Sequence, residues 1–282
     1  MRKHTKIWLL VAVSLILLGC IIGGCVMSIL KWDFNRLSTV RYETNQHQIE
    51  EEFQNISITA DTADVTFALS KDGFCSVICY EEENALHQVA VSEGTLTIKH
   101  VDSRKWYERI GISFTAPKIT VYLPQEQYSL LSIRLSTGDV SLAEDFSFAN
   151  INITVSTGKI HVKDLSTGAL ELSVSTGKIS VDNVTCESLI SRGSTGDIKL
   201  KNVVARGSFF IERSTGDIEL ERCDAATLYL KTRTGDIEGS LRTGKVFLTH
   251  TRTGDVEVPQ STTGGTCEIY TSTGDIEIEI ER

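Results

Sequence analysis

The 282-residue chain carries 28 Lys and Arg against 37 Asp and Glu, a formal net charge of −9, with 41% hydrophobic residues. Residues 1–36 hold five of the basic residues and a single Asp, so the rest of the chain carries −13; this excludes charge-driven binding to nucleic acid and favours standing off an anionic bilayer. Seven cysteines without framework spacing exclude a small disulfide-stapled domain.

Residues 1–6 read as a short cytoplasmic tail. Ile7 to Leu30 is 24 residues without a charge, long enough to span a bilayer with some tilt. Arg2, Lys3 and Lys6 precede the span and Lys31-Trp32 follows it, which favours a cytoplasmic N-terminus, a single-pass anchor over 7–30 and an extracytoplasmic remainder at the cell membrane. A cleaved signal peptide normally has a shorter apolar core. A lipoprotein signal is suggested by Leu17-Leu18-Gly19-Cys20, but apolar residues continue beyond Cys20. Residues 31–52 are polar with mixed charge and read as a stalk.

In residues 53–135 a strand pattern is visible but uneven. Ile56, Ile58 and Ala60 precede Asp61-Thr62-Ala63-Asp64, followed by Val65 and Phe67. The same template returns in full 75 residues later around Gly138, near four periods of the repeat described next, so 53–135 reads as a degenerate part of one continuous array. Strands are expected at 74–80, 88–91, 95–99 and 118–123, and a protruding loop at 102–111.

Residues 136–282 are a regular repeat. A Ser-Thr-Gly-Asp motif or close variant recurs with glycines at Gly138, Gly158, Gly177, Gly196, Gly216, Gly235, Gly254 and Gly274, at intervals of 19 or 20 residues. Such a period means one short unit copied and stacked. Apolar residues alternate on both sides of each glycine, as in Leu131, Ile133, Leu135 and then Val140, Leu142, so each unit is strand, tight turn, strand. The expected fold is all-β: a single-stranded β-solenoid of 19–20-residue coils, about 40 Å long for eight coils, behind one transmembrane helix. Second turns are expected at Gly168, Gly244 and Gly264, or at Asp182-Asn183, Lys201-Asn202 and Asp224. An antiparallel meander with Thr-Gly hairpins is the alternative. Strand 276–281 is expected to be the outer edge of the stack, where Glu277, Glu279 and Glu281 oppose pairing of two identical ends, so no strong homo-oligomer is expected.

The candidate site residues are those of the repeat turn, and their expected role is structural. Threonine precedes every repeat glycine, including Thr137, Thr195 and Thr215, as a hydroxyl ladder supporting the corner. Asp197, Asp217, Asp236, Asp255 and Asp275 stack in a file, with Asp139 earlier and Lys159 and Lys178 between. Carboxylates about 4.8 Å apart repel by about 1 kcal/mol in water, so turn N–H groups and Arg213, Arg233, Arg242 and Arg252 are expected to balance them. The Gly-Gly-x-Gly-x-Asp nonapeptide of calcium-binding rolls is absent. A threonine array of the ice-binding kind would need two columns on a flat face. The histidines share no ligand spacing, Cys75 and Cys79 stand too far apart along a strand for a disulfide or a shared zinc, and the cysteines read as buried thiols. Glu219, Glu238, Glu257 and Glu277 follow the repeat, as a surface does, whereas a catalytic group should break it. No enzyme, cofactor, metal or nucleic-acid partner is expected.

The apolar N-terminus, the segment Ile119-Thr120-Val121-Tyr122-Leu123-Pro124 leading into Leu131-x-Ile133, and the ladder of Ser-Thr-Gly-Asp-Ile units resemble the bacterial putative-adhesin family of β-strand-repeat proteins, within the toastrack group, over roughly residues 50–282. The resemblance implies an all-β stacked fold and an association with envelope-stress and membrane-sensing systems; it implies no catalytic residues. Two functions are consistent with this: a membrane-anchored module binding or sensing a partner membrane protein or an envelope polymer, and a surface adhesin contacting external ligands. A short rod on a short stalk favours the first.

Overall fold

The computed structural model describes residues 3–33, 38, 40–102, 104–105, 115–143 and 146–281. Most of the loop expected at 102–111 lies outside them. The chain divides into two compact units, residues 1–41 with 104–115, and residues 42–103 with 116–282. The first contains helix α1, Lys3–Ile29. Residues Thr5–Ile29 have a mean hydropathy of 2.8 and none of that apolar surface is buried, so the helix is long and apolar enough to cross a membrane. It ends where Lys31 and Trp32 turn into the left-handed region, at φ 54° and 60°.

The second unit is all-β. Its strands are β1 Tyr42–Ile49, β2 Asn55–Thr62, β3 Asp64–Leu69, β4 Cys75–Glu82, β5 Ala85–Ser92, β6 Thr95–Asp102, β7 Lys118–Leu123, β8 Gln127–Thr137, β9 Val140–Leu142 and β10 Ser147–Thr157. Then follow β11 Ile160–Thr176, β12 Ile179–Thr195, β13 Ile198–Lys201, β14 Val204–Glu212, β15 Ile218–Lys231, β16 Ile237–Leu241, β17 Lys245–His250, β18 Val256–Glu257, β19 Gly265–Tyr270 and β20 Ile276–Ile280. Alternation of β-branched and polar residues puts one side of each strand inward, and the repeat stacks those sides in columns. Leu131 pairs with Ile151, Ile151 with Leu170, Leu170 with Leu189, Leu189 with Phe209 and Phe209 with Leu228, always in parallel. Val140, Ile160, Ile179, Ile198 and Ile218 form the matching column on the facing ladder. Both columns are buried in one continuous core, each Leu or Ile contributing about 1.5–3 kcal/mol by its burial. The architecture is β-solenoid-like, with two parallel ladders closed by corners.

The corners form two files. One is the glycine file. The other lies six residues after the glycine, where Asp164, Asn183, Asn202 and Arg222 take φ of 50° to 55°. Asn and Asp tolerate this region, and Asn183 Nδ2 donates to Asp164 Oδ1 at 2.6 Å between neighbouring turns. The second turns expected at Asp182-Asn183 and Lys201-Asn202 are therefore close, but Gly168 is not a corner: it lies inside β11, which has already turned at Asp164.

The ends of the stack differ from the expected order. β2 and β3 pair in parallel with β8 and β9 on one side and with β6 and β7 on the other. The interval of 75 residues is thus one insertion between neighbouring coils, not four stacked periods. Within it, β4 pairs antiparallel with β7, and β5 with β6. Alternation of apolar residues is the same for parallel and antiparallel strands, so the pattern alone cannot separate them. The stalk reading of 31–52 also changes, because Tyr42–Ile49 is a strand pairing antiparallel with β4. Its sequence hid this: the strand sits at an edge, exposes most of its polar side chains and fully buries Ile49 alone. At the other end, β19 and β20 pair with β15 and β16 on one side and with β17 and β18 on the other. The strand expected at the outer edge is internal, and β17 and β18 form the margin.

Candidate functional site

The repeat residues come together at one corner, and their geometry explains the motif. Each repeat glycine has positive φ, from 116° at Gly196 to 148° at Gly158. Its N–H donates to the threonine carbonyl of the adjacent turn, as Gly216 N to Thr234 O at 2.9 Å and Gly235 N to Thr273 O at 2.9 Å. Thr195, Thr215, Thr234, Thr273 and Thr253 pair through their backbones. The hydroxyls that support the corner belong instead to Thr232, Thr251 and Thr271, three residues before a glycine, which donate to the carbonyls of Gly216, Gly274 and Gly235 at 3.0–3.1 Å. Side-chain hydroxyls pointing inward at this column escape a search for exposed threonine files.

The aspartate file is held by the backbone. Asp197 Oδ1 accepts the N–H of Asp217 at 3.3 Å, Asp217 Oδ1 that of Asp236 at 2.9 Å, Asp236 Oδ1 that of Asp275 at 2.8 Å, and Asp275 Oδ1 that of Asp255 at 2.8 Å. Such bonds offset the repulsion along the file. Of the arginines expected to balance it, Arg213 is buried and donates to the carbonyl of Val174, so it acts on Asp197 by its charge only, the smallest of the effects there. The cation beside the file is Lys178, 2.8 Å from Asp197, and its hydrogen bond holds the Asp197 carboxyl below the usual carboxylate range. Millimolar Ca²⁺ should leave the melting temperature unchanged, because the file is already satisfied. A rise of many degrees, lost on changing Asp217, Asp236 and Asp255 to Asn, would show that the file binds the ion.

Outward-facing aromatics also follow the stack. Phe210 and Tyr229 stack at 4.9 Å with planes 8° apart, Tyr229 meets Tyr270 at 5.7 Å, and Arg192 sits 4.9 Å over Phe210. The stacked faces of Phe210 and Tyr229 cover one another, so this row stiffens the face more than it offers a stacking platform.

Among the described residues, a concave feature lies where the repeat is broken. Four connections converge on it: β1 to β2, β3 to β4, β5 to β6 and β7 to β8. They enclose a cleft of about 610 Å³ whose floor includes Phe53 and Tyr128, stacked at 5.9 Å, with Phe74 58% exposed at its margin. Glu50, Glu51, Glu52, Glu93 and Glu126 line it, and no Lys or Arg does. Tyr128 donates its hydroxyl to Pro124 O at 3.1 Å. Burial pushes the Tyr128 phenol up, with Glu126 adding, and pushes the Cys75 thiol at the cleft up to about 12, so both stay protonated and the cleft keeps its negative charge from the glutamates. An aromatic floor with an acidic rim suits a basic, amphipathic ligand. The sequence reading missed it because its residues come from four separate loops; the signal was the Glu50-Glu51-Glu52 run, read as stalk.

A family model described as Toastrack DUF4097 matches residues 53–208. The chain belongs to that family. The match covers both the interrupted part and the first regular turns, so the toastrack chain has its cleft beside, and partly inside, the segment that defines the family. Among solved structures, a putative adhesin from Bacteroides fragilis matches at 21% identity over 85% of this chain and 97% of that one, with a TM-score of 0.54, which shows the same fold. A putative lipid binding protein from Parabacteroides distasonis matches at 17% identity over 86% of this chain and 98% of that one, with a TM-score of 0.44. No curated protein sequence matches the toastrack chain.

Proposed function

We propose that this chain is a membrane-anchored, non-catalytic binding module on the outer side of a bacterial membrane: α1 spans the bilayer with its N-terminus in the cytoplasm, and a single-stranded β-solenoid of 19–20-residue coils displays the cleft. The observation that carries the binding role is the cleft itself. It breaks a surface that otherwise repeats, it joins an aromatic floor to five glutamates, and it lies on loops held by a rigid stack. Its chemistry fits a basic, amphipathic segment of a partner membrane protein. The chemistry around it is positional and electrostatic, with no nucleophile placed beside a base.

A photo-crosslinking residue placed at Phe74 in the full chain, in native membranes, should give discrete adducts that disappear when Glu51 and Glu93 are changed to Lys. The same residue at Thr154, on an exposed outward position of β10, should give none of them. Identical adducts at both positions, or labelling of Phe74 from the cytoplasmic side, would refute the reading. Adducts to polysaccharide or to added foreign ligand only would replace the partner protein by an envelope polymer or by the adhesin role.

A further inference from the structure

The interior of the β4–β5 hairpin holds three side chains that the repeat does not need. Cys79 and Glu81 point inward from β4, and His87 points inward from β5, brought opposite them by the short turn at Glu83-Asn84. Their exposures are 0%, 1% and 3%. The Cys79 sulfur, a Glu81 carboxylate oxygen and a His87 ring nitrogen all lie within 4.8 Å of one another. His87 Nδ1 and Glu81 Oε2 are 2.6 Å apart, and Asn45 Nδ2 donates to Glu81 Oε1 at 2.8 Å. The second ring nitrogen of His87, Nε2, is buried with no partner among the described residues. His100 stands opposite on β6, with ring centroids 5.3 Å apart, and its Nδ1 is 3.5 Å from Asp61. A shallow cleft of about 380 Å³ lies beside the group, lined by His87 together with Glu83, Asn84, Leu86, Gln88 and Val101.

We propose that Cys79, Glu81 and His87 bind a divalent, thiophilic metal ion of the zinc type. One sulfur, one imidazole nitrogen and one carboxylate oxygen is a donor set that suits zinc and disfavours calcium or magnesium, which take oxygen ligands. Charge balance supports it: a thiolate and a carboxylate together neutralise a dication, so the filled site is neutral where a net charge would be costly. Binding releases the thiol proton; the ion takes the place of the proton between His87 Nδ1 and Glu81, and that proton moves to Nε2 so that the imidazole stays neutral. An ion about 2.0–2.3 Å from each ligand holds them roughly 3.3–3.7 Å apart, so side-chain shifts of about 1 Å complete the site. Asn45 fixes Glu81 from outside by holding its other oxygen, the place of a supporting residue. His100, opposite on β6, or a water would take the fourth position. A buried structural His–Glu pair is the plain alternative. It accounts for the 2.6 Å contact but not for a buried thiol within 4.8 Å of both groups.

The test uses the detergent-solubilised full chain, treated with chelator and kept reduced, then titrated with Co²⁺ and Zn²⁺. We expect one equivalent of Co²⁺ to produce a near-ultraviolet thiolate-to-cobalt band, displaced by Zn²⁺, and Zn²⁺ to raise the melting temperature where Ca²⁺ does not. Cys79→Ser should abolish the band while Cys75→Ser, on the same strand, keeps it; His87→Gln and Glu81→Gln should weaken binding by more than about tenfold, and Asn45→Ala by about tenfold. Absence of the band in the unaltered chain overturns the proposal whatever the variants do. So does a band that survives Cys79→Ser or is lost equally with Cys75→Ser.

Discussion

Gly216→Ala is expected to destabilise the β unit by about 2–6 kcal/mol, read as a shift in urea midpoint of the full chain in detergent. Two separate costs add. Gly216 has φ 132°, a conformation closed to side chains, which costs about 1–3 kcal/mol. A Cβ there would also overlap the Gly196 carbonyl oxygen of the neighbouring turn, and backbone cannot swing aside, so overpacking adds about 1–3 kcal/mol. Gly177→Ala and Gly235→Ala, placed against the carbonyls of Gly158 and Gly216, should behave alike. Ala63 occupies the glycine place in the template, yet it is fully buried and lacks positive φ. Ala63→Gly should therefore cost about 1 kcal/mol instead of being neutral. Loss of less than about 1 kcal/mol at all three glycines would mean that the corners relax, and that crowding does not hold the stack.

At Arg213 the second large effect depends on whether volume or charge is removed. The column three residues before each glycine runs Leu135, Val155, Val174, Gly193, Arg213, Thr232, so an apolar column turns polar midway along the chain. Arg213 is 2% exposed and reaches across Gly193 to donate from Nη1 to Val174 O at 3.0 Å, while Nε and Nη2 are buried with no partner among the described residues. Burial pushes the guanidinium down to about 10, with Asp197 opposing. Arg213→Ala empties the space over Gly193 and should cost about 3 kcal/mol. Arg213→Met fills it without the charge and should be neutral or stabilising by up to about 2 kcal/mol. Equal losses in both variants would show that attraction between Arg213 and Asp197 outweighs desolvation.

The aspartate file and the cleft mark the two extremes of what could be read in advance. Carboxylates one residue after each glycine were legible as a file because the period itself stacks them, and turn N–H groups were expected to balance them; which N–H serves each carboxylate, and that Lys178 sits beside Asp197, only the pairing of turns decided. The cleft was illegible because Glu50–Glu52, Phe74, Glu93 and Tyr128 become neighbours only when β2 pairs in parallel with β6 and β8 and β4 folds back antiparallel on β7. Cys79, Glu81 and His87 were hidden in the same way. The spacing between Glu81 and His87 matches no common ligand motif, and a hairpin removes the distance that the sequence counts.

The sequence by itself determined the period, the inward and outward faces of each strand, the glycine corner and the apolar helix, because these are local demands: a positive φ, an alternation of two, an unbroken run of apolar residues. Only the tertiary structure decided the order of the stack. Coils that share one template offer nearly the same edge to one another, so pairing β2 with both β6 and β8, or placing β19 and β20 inside β17 and β18, follows from loop closure and from which core faces fit, which no repeat pattern records.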